Sequence, residues 1–110
     1  MGCGNTKKVK LPEEATAHPV VVFSKSYCPY STKAAETLDS LNVQYNLIQL
    51  DELENGPALQ EALLKATGQR TVPNIFVGGQ HVGGSGELET GLKEGSVQKL
   101  FQKHKISYVA

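Results

Sequence analysis

Residues 20–31 read VVVFSKSYCPYS and mark a change from a strand pattern to a helix pattern. Its first four residues are β-branched or aromatic, too few for a helix and apolar on both faces, which is typical of a buried strand. Pro29 suits the first position of a helix, because its missing N–H is not needed there. The stretch therefore predicts a strand over 20–23, a short loop from Ser24 to Cys28, and a helix that begins at Pro29.

Beyond this stretch the chain alternates helices and strands. The helical spacing of apolar residues stops near Asn42, and alternating apolar residues over 43–50 predict a second strand, parallel to the first across the helical crossover. Apolar residues spaced from Leu59 to Ala66 predict another amphipathic helix, which Gly68 ends. Before the first strand, residues 12–14 favour a short helical turn.

The C-terminal third completes the sheet. Residues 74–77 and 80–82 predict a hairpin, because Gly78-Gly79 between them supplies the positive φ angles of a tight turn. One or two closing helices follow, with a break near Gly95. The element order predicts an α/β fold with a four-stranded mixed sheet flanked by helices.

Composition limits the classes of function. A chain of 110 residues with 39% hydrophobic content fits a single domain. Its 11 basic and 11 acidic residues cancel, which argues against nucleic acid as a partner. The longest apolar run, residues 20–23, cannot span a bilayer, and no secretory signal is visible, so we expect a cytoplasmic protein. Two cysteines, Cys3 and Cys28, argue against a disulfide framework and, without Cys/His spacing, against zinc.

The predicted N-terminal arm, residues 1–12, has little apolar content and is expected to be flexible. Gly2 followed by Thr6 fits the N-myristoylation pattern, and Cys3 offers a neighbouring palmitoylation site. Stable anchoring needs such a second signal, to which three lysines would add, at positions 7, 8 and 10. Two interpretations stay open: a membrane tether through Gly2 and Cys3, and an unmodified tail.

Cys28 is the candidate reactive residue. If Pro29 opens a helix, Cys28 is its N-cap, where the helix dipole is positive and the N–H groups of Tyr30 and Ser31 are free to face the sulfur. The charge of Lys25 and the Ser31 hydroxyl would further stabilise a thiolate. Such surroundings commonly lower a cysteine pKa from about 8.5 to about 3.5–7.5. An isolated cysteine is more often a small buried apolar residue, but these neighbours favour a nucleophile.

Three motifs resemble those of glutaredoxins in order and spacing, and the similarity runs from about Val20 to the C-terminus. They are Lys25-Ser26-Tyr27-Cys28-Pro29-Tyr30, Thr71-Val72-Pro73, and Gly83-Gly84 followed by Glu87. The resemblance implies a thioredoxin-like fold in a glutaredoxin domain of residues 13–110. It also implies glutathione as co-substrate and no metal.

The resemblance further implies a set of site residues. A cis Val72-Pro73 peptide would leave the Val72 backbone to pair with glutathione like an added strand. Lys25, Gln60 and Arg70, two cations and an amide, would surround the glycine carboxylate of glutathione. The N–H groups of Gly86 and Glu87 would hold its other carboxylate. The predicted glutathione-binding residues are Lys25, Cys28, Tyr30, Gln60, Arg70, Thr71, Val72, Gly86 and Glu87. The residues predicted to support Cys28 are Lys25, Pro29, Tyr30, Ser31 and Pro73.

The chain departs from the family pattern at three positions. Gly86 replaces a hydroxyl residue and Glu87 replaces an aspartate, which puts a side-chain contact to the glutathione amino group in doubt. Ser31 stands where a dithiol glutaredoxin has its second cysteine, so Cys28 cannot close a disulfide within the motif. We therefore expect a monomeric enzyme that reduces glutathionylated proteins or small mixed disulfides with one cysteine.

Two other functions stay open. One is a dimer that holds a [2Fe–2S] cluster through Cys28 and two glutathiones. Glutaredoxins of that class resemble a Cys-Gly-Phe-Ser pattern with extra residues after the lysine, whereas this chain has Pro29 and a short gap. The other is a membrane-tethered adaptor that binds glutathione without turnover.

Overall fold

Four strands form one mixed sheet in the computed structural model, which describes residues 11–109. The strands are β1 (Val20–Ser24), β2 (Asn46–Gln49), β3 (Asn74–Val77) and β4 (Gln80–Gly83). Their order is β2-β1-β3-β4. β1 runs parallel to β2 and antiparallel to β3, and β4 runs antiparallel to β3. The predicted α/β fold with a four-stranded mixed sheet is confirmed.

Four α-helices flank the sheet: α1 (Pro29–Ser40), α2 (Gly56–Thr67), α3 (Ser85–Glu94) and α4 (Ser96–Lys103). The predicted helix ends are confirmed, since Gly68 and Gly95 adopt left-handed φ angles of 82° and 88°. The predicted turn before β1 is a 3₁₀ helix over Glu13–Ala15.

The second strand is shorter than the predicted span of 43–50. Asn42 has a φ angle of 57°, and the Val43 N–H donates to the Leu38 carbonyl at 3.1 Å. This contact belongs to the end of α1, so Val43 is buried by helix capping and not by strand pairing. At the other end Leu50 begins a 3₁₀ helix, Leu50–Glu52. The predicted strand was too long at both ends. Alternating apolar residues indicate which positions are buried, and they do not show which positions pair with a neighbouring strand.

β1 lies between the two halves of the core. Its residues are fully buried and alternate between the two faces of the sheet. Val20 and Val22 pack in a cluster with residues of α1, α3 and α4. Val21 and Phe23 pack on the other face with two leucines of α2, Leu59 and Leu63. A strand held on both faces delivers residues 24–28 to a fixed edge of the molecule.

Leu11, the first described residue, packs against the second of these clusters. The predicted lipidation sites Gly2 and Cys3 lie outside the described residues, and the flexible arm stays a prediction there. Within residues 11–109, no helix combines the length and the apolar character needed to cross a membrane.

Candidate active site

Cys28 lies at the junction between β1 and α1. It is the N-cap of α1, as predicted, with Pro29 in the first turn. The Cys28 N–H donates to the Lys25 carbonyl at 3.0 Å, and the Cys28 carbonyl accepts the Thr32 N–H at 3.2 Å. The thiol is free and half-buried. The sulfur therefore meets the positive end of the helix dipole.

Opposing influences act on the Cys28 thiol. Burial raises its pKa, whereas the Ser31 hydroxyl, the N–H groups of Ser31 and Tyr30, and the charge of Lys25 lower it. The lowering influences prevail, so the pKa of Cys28 lies below its ordinary value. Because the thiolate is the nucleophile in disulfide exchange, this environment favours the reactive form.

Ser31 is buried in the first turn of α1, with 2% of its surface exposed. Its Oγ has no hydrogen-bonding partner of ordinary geometry within residues 11–109. The same hydroxyl lowers the pKa of Cys28. The Cys28 thiolate is thus the group that Ser31 stabilises, and ionisation of the sulfur supplies the partner that the hydroxyl otherwise lacks.

The segment 71–73 forms the wall beside the sulfur. The Val72–Pro73 peptide is cis, and the Cys28 Sγ–H faces the Val72 carbonyl oxygen at 3.7 Å. Gln69 holds this segment, because its Nε2 donates to the Thr71 carbonyl at 3.0 Å and to the Pro73 carbonyl at 2.9 Å. Sequence reasoning missed Gln69, whose only signal was a polar residue directly after the helix-ending glycine.

Asp51 is a second residue that sequence reasoning missed. Its carboxylate accepts hydrogen bonds from the Ser26 N–H, at 3.0 Å, and from the Ser26 hydroxyl. The Ser26 hydroxyl is the main cause that holds the pKa of Asp51 below its ordinary value. These bonds tie the loop between β1 and Cys28 to the 3₁₀ helix after β2.

Of the three residues predicted around one glutathione carboxylate, the structure brings two to the same cavity. Lys25 and Gln60 both line a space of about 300 Å³ at the start of α2. The Arg70 guanidinium instead forms an ion pair with Glu61 at 2.6 Å. Gln60 and Arg70 are nevertheless joined, because the Gln60 amide donates to the Arg70 carbonyl at 2.7 Å.

Gly86 and Glu87 lie in the first turn of α3 and line a separate groove of about 520 Å³. The Glu87 carboxylate turns back along its own helix and accepts the Gly84 N–H at 2.8 Å. A Cβ at Gly86 would meet no atom within 4 Å. The Glu87 side chain is therefore used for capping in this structure, which matches the doubt raised by its replacement of an aspartate.

The remaining predicted residues flank the sulfur with different exposure. Tyr30 lies beside it on α1 with 66% of its surface exposed. Thr71 and Pro73 contribute their carbonyls to the segment that Gln69 holds. The Tyr30 side chain is thus exposed in the first turn of α1, two positions after Cys28.

Cys28 at the start of α1 and the cis Val72–Pro73 peptide both lie in a part of the chain that matches a known family. The glutaredoxin family model matches residues 20–82. The chain belongs to the glutaredoxin family. Glutaredoxins are thiol–disulfide oxidoreductases, and the thioredoxin-like fold expected from the sequence is confirmed.

Relatives and solved structures agree with this assignment. The chain is 49% identical over 93 residues to glutaredoxin-1 of Rhizophagus irregularis, covering 84% of this chain and 92% of the relative. It is 41% identical to glutaredoxin-C2 of Arabidopsis thaliana over 83% of this chain and 82% of the relative. The crystal structure of a buckwheat glutaredoxin–glutathione complex superposes with a TM-score of 0.82 at 38% identity, covering 86% of both chains.

Within residues 11–109, no group of three or more His, Cys, Asp or Glu side chains is placed to hold a metal ion. The prediction of no metal rests on the sequence and stays a prediction for this glutaredoxin.

Proposed function

We propose that this glutaredoxin reduces mixed disulfides between glutathione and a protein or small thiol, and that it uses Cys28 alone. The observation that carries the proposal is the position of Cys28 at the N-cap of α1, with a buried Ser31 in the first turn of that helix, and Ser31 and the charge of Lys25 lower the pKa of Cys28. In this chain the motif position of a second cysteine holds a hydroxyl that stabilises the thiolate and cannot form a disulfide. The resolving thiol must then come from another molecule.

The proposed reaction has two exchange steps. The Cys28 thiolate attacks the glutathione sulfur of the mixed disulfide, a Cys28–glutathione bond forms, and the target leaves as a thiolate that takes up a proton. A second glutathione, as thiolate, attacks the sulfur of the bound glutathione. The new bond gives oxidised glutathione, and the Cys28 thiolate is released. The target thiol is reduced and two glutathiones become one disulfide, so electrons balance.

Glutathione would lie across the segment 71–73, with its sulfur toward Cys28. The Val72 carbonyl is already 3.7 Å from the Cys28 sulfur, so a peptide paired with Val72 would bring its own cysteine to the nucleophile. Lys25 and Gln60 would receive one carboxylate in their shared cavity. The Gln60 amide also donates to the Arg70 carbonyl. The N–H groups of Gly86 and Glu87, at the start of α3, would receive the other carboxylate.

The two proposed carboxylate sites also predict the substrate specificity of the enzyme. A disulfide that carries one glutathione satisfies both, whatever thiol forms its other half. We therefore propose glutathionylated proteins and small mixed disulfides alike as substrates. Tyr30, exposed next to Cys28, is placed to contact the thiol that leaves.

Turnover of a small glutathione mixed disulfide tests this function. The full chain is supplied with the disulfide, glutathione, glutathione reductase and NADPH, and NADPH consumption is followed. We expect activity from the wild type and none from Cys28→Ser, while Cys3→Ser keeps the wild-type rate. Equal activity of Cys28→Ser and the wild type would refute the mechanism.

The same assay separates the enzyme from an adaptor, and a reconstitution experiment separates it from a cluster-binding protein. An adaptor would bind glutathione without consuming NADPH. A cluster-binding protein would become a brown dimer with visible absorbance after anaerobic reconstitution with iron, sulfide and glutathione. Pro29 and the short gap between Lys25 and Cys28 favour the enzyme over the cluster-binding class.

We further propose a monomer with an arm of residues 1–12 and a glutaredoxin domain of residues 13–110. The protein is proposed to act in the cytoplasm, and acylation of Gly2 and Cys3 would hold it at a membrane. Mass spectrometry of the protein from its native cell tests this tether. An unmodified Gly2 would remove it and leave the catalytic proposal intact.

A further inference from the structure

We infer that Gln69 is a positioning residue for glutathione: its side-chain amide fixes the segment on which the substrate backbone lies. Gln69 itself is not placed to touch the reacting sulfurs. The inference rests on the proposed function, because it concerns how the proposed glutathione surface at Val72 is kept in shape.

The geometry of the amide supports this role. Gln69 Nε2 carries two protons, and it donates to two carbonyls, that of Thr71 at 3.0 Å and that of Pro73 at 2.9 Å. These carbonyls belong to the residues immediately before and after Val72. A single side chain thus holds both neighbours of the residue that would pair with glutathione.

Gln69 is itself tied to the end of α2. Its N–H donates to the Thr67 Oγ1 at 3.1 Å, and the Thr67 hydroxyl donates to the Leu63 carbonyl at 2.8 Å. Leu63 is a core residue with 1% exposure. The segment 71–73 is therefore connected through Gln69 to the last turn of α2.

Apart from the Val72 carbonyl, the groups that act on the sulfur belong to a different element from the segment that Gln69 holds. The groups that lower the pKa of Cys28 are Ser31, Tyr30 and Lys25, which belong to α1 and the loop before it. Loss of the Gln69 amide should leave these groups in place. It should free the Val72 backbone, which must then be ordered each time glutathione binds.

This separation allows a selective test. Gln69→Met has similar length and no donor. Gln69→Glu keeps the shape and replaces the amide with a carboxylate that faces two carbonyl oxygens. Gln98→Met is the matched control, because Gln98 on α4 donates through Nε2 to a single carbonyl, that of Leu92 on α3, at 2.8 Å. Melting temperatures of all variants verify that they are folded.

Three reagents are given to the reduced full-length proteins at neutral pH, and modification of the Cys28 peptide is counted by mass spectrometry after an acid quench. Iodoacetamide reports the thiolate alone. Hydroxyethyl disulfide reports disulfide exchange without glutathione recognition. Oxidised glutathione reports disulfide exchange together with glutathione recognition. The Cys28 thiolate attacks one of its sulfurs, the Cys28–glutathione bond forms, and the other glutathione leaves as a thiolate.

We expect Gln69→Met to react roughly tenfold more slowly with oxidised glutathione, with changes below about twofold for the other two reagents. Gln69→Glu should lose more and Gln98→Met nothing. Equal slowing with all three reagents, or no slowing with oxidised glutathione, would overturn the inference. If the wild type itself shows no preference for oxidised glutathione over hydroxyethyl disulfide, the proposed glutathione function fails instead.

Discussion

Replacing Ser31 with alanine should raise the pKa of Cys28, and so lower the fraction of thiolate, without disrupting the fold. The Ser31 hydroxyl is buried, lacks another partner within the described residues, and lowers the pKa of Cys28. A hydrogen bond to a charged group contributes about 1.5–3 kcal/mol. Since about 1.4 kcal/mol is a factor of ten in an equilibrium constant, the thiolate-to-thiol ratio at fixed pH should fall roughly tenfold or more, and the pKa of Cys28 should rise.

The stability of Ser31→Ala relative to the wild type should depend on pH. The pKa of Cys28 is lowered in the fold, so the thiolate stabilises the protein at high pH, and that contribution is lost as the pH falls through the folded pKa. Where the sulfur is protonated, Ser31→Ala removes an unsatisfied buried hydroxyl and should be as stable as the wild type or more so. Above that pH, it should be less stable than the wild type.

The assay is the rate of iodoacetamide alkylation of Cys28 against pH, together with denaturant unfolding at an acidic and an alkaline pH. Ser40→Ala is the matched control, since Ser40 lies at the other end of α1 and its hydroxyl donates to the Thr37 carbonyl. We expect the profile of Ser31→Ala to move to higher pH and that of Ser40→Ala to stay. Superposed profiles for Ser31→Ala and the wild type would refute the role assigned to the hydroxyl.

Two further predictions concern the frame of the site. Gly56→Ala should destabilise the fold by about 2 kcal/mol or more, because its Cβ would lie 2.0 Å from the Leu50 carbonyl oxygen. Gly86→Ala should leave stability unchanged, since no atom lies within 4 Å of its Cβ. Denaturant unfolding compares the two variants, and equal stability would contradict this prediction. Asp51→Asn should be less stable than the wild type at neutral pH, because Ser26 lowers the pKa of Asp51. That difference should close as the pH falls below the ordinary carboxyl value of about 3.9, and a difference that persists in acid would count against the Ser26 contact.

Local signals predicted the position of Cys28 at a helix start. Pro29 after a short apolar run was enough to place a helix start, and Cys28 is its N-cap. The same kind of signal failed at Val43, which is buried by the end of α1 and not by strand pairing. Burial and strand pairing leave similar marks in a sequence, so the ends of β2 required the structure.

Local sequence patterns did not predict the residues that position the site. Gln69 and Asp51 act through hydrogen bonds to backbone groups that only the tertiary fold brings close. The sequence showed that Ser31 could donate to the sulfur, but its burial without another partner depends on packing around α1. The ion pair of Arg70 with Glu61 likewise joins side chains nine positions apart, and no motif marks it.

The use of a single cysteine is tested most directly by mapping the adduct formed with oxidised glutathione. Reduced full-length protein is treated with oxidised glutathione, quenched with acid, and analysed as the intact protein and as peptides. We predict one glutathione per chain on Cys28, stable until reduced glutathione is added and then removed completely. A protein that ends instead with a disulfide between Cys3 and Cys28, or with Cys28 unmodified, would contradict the one-cysteine mechanism.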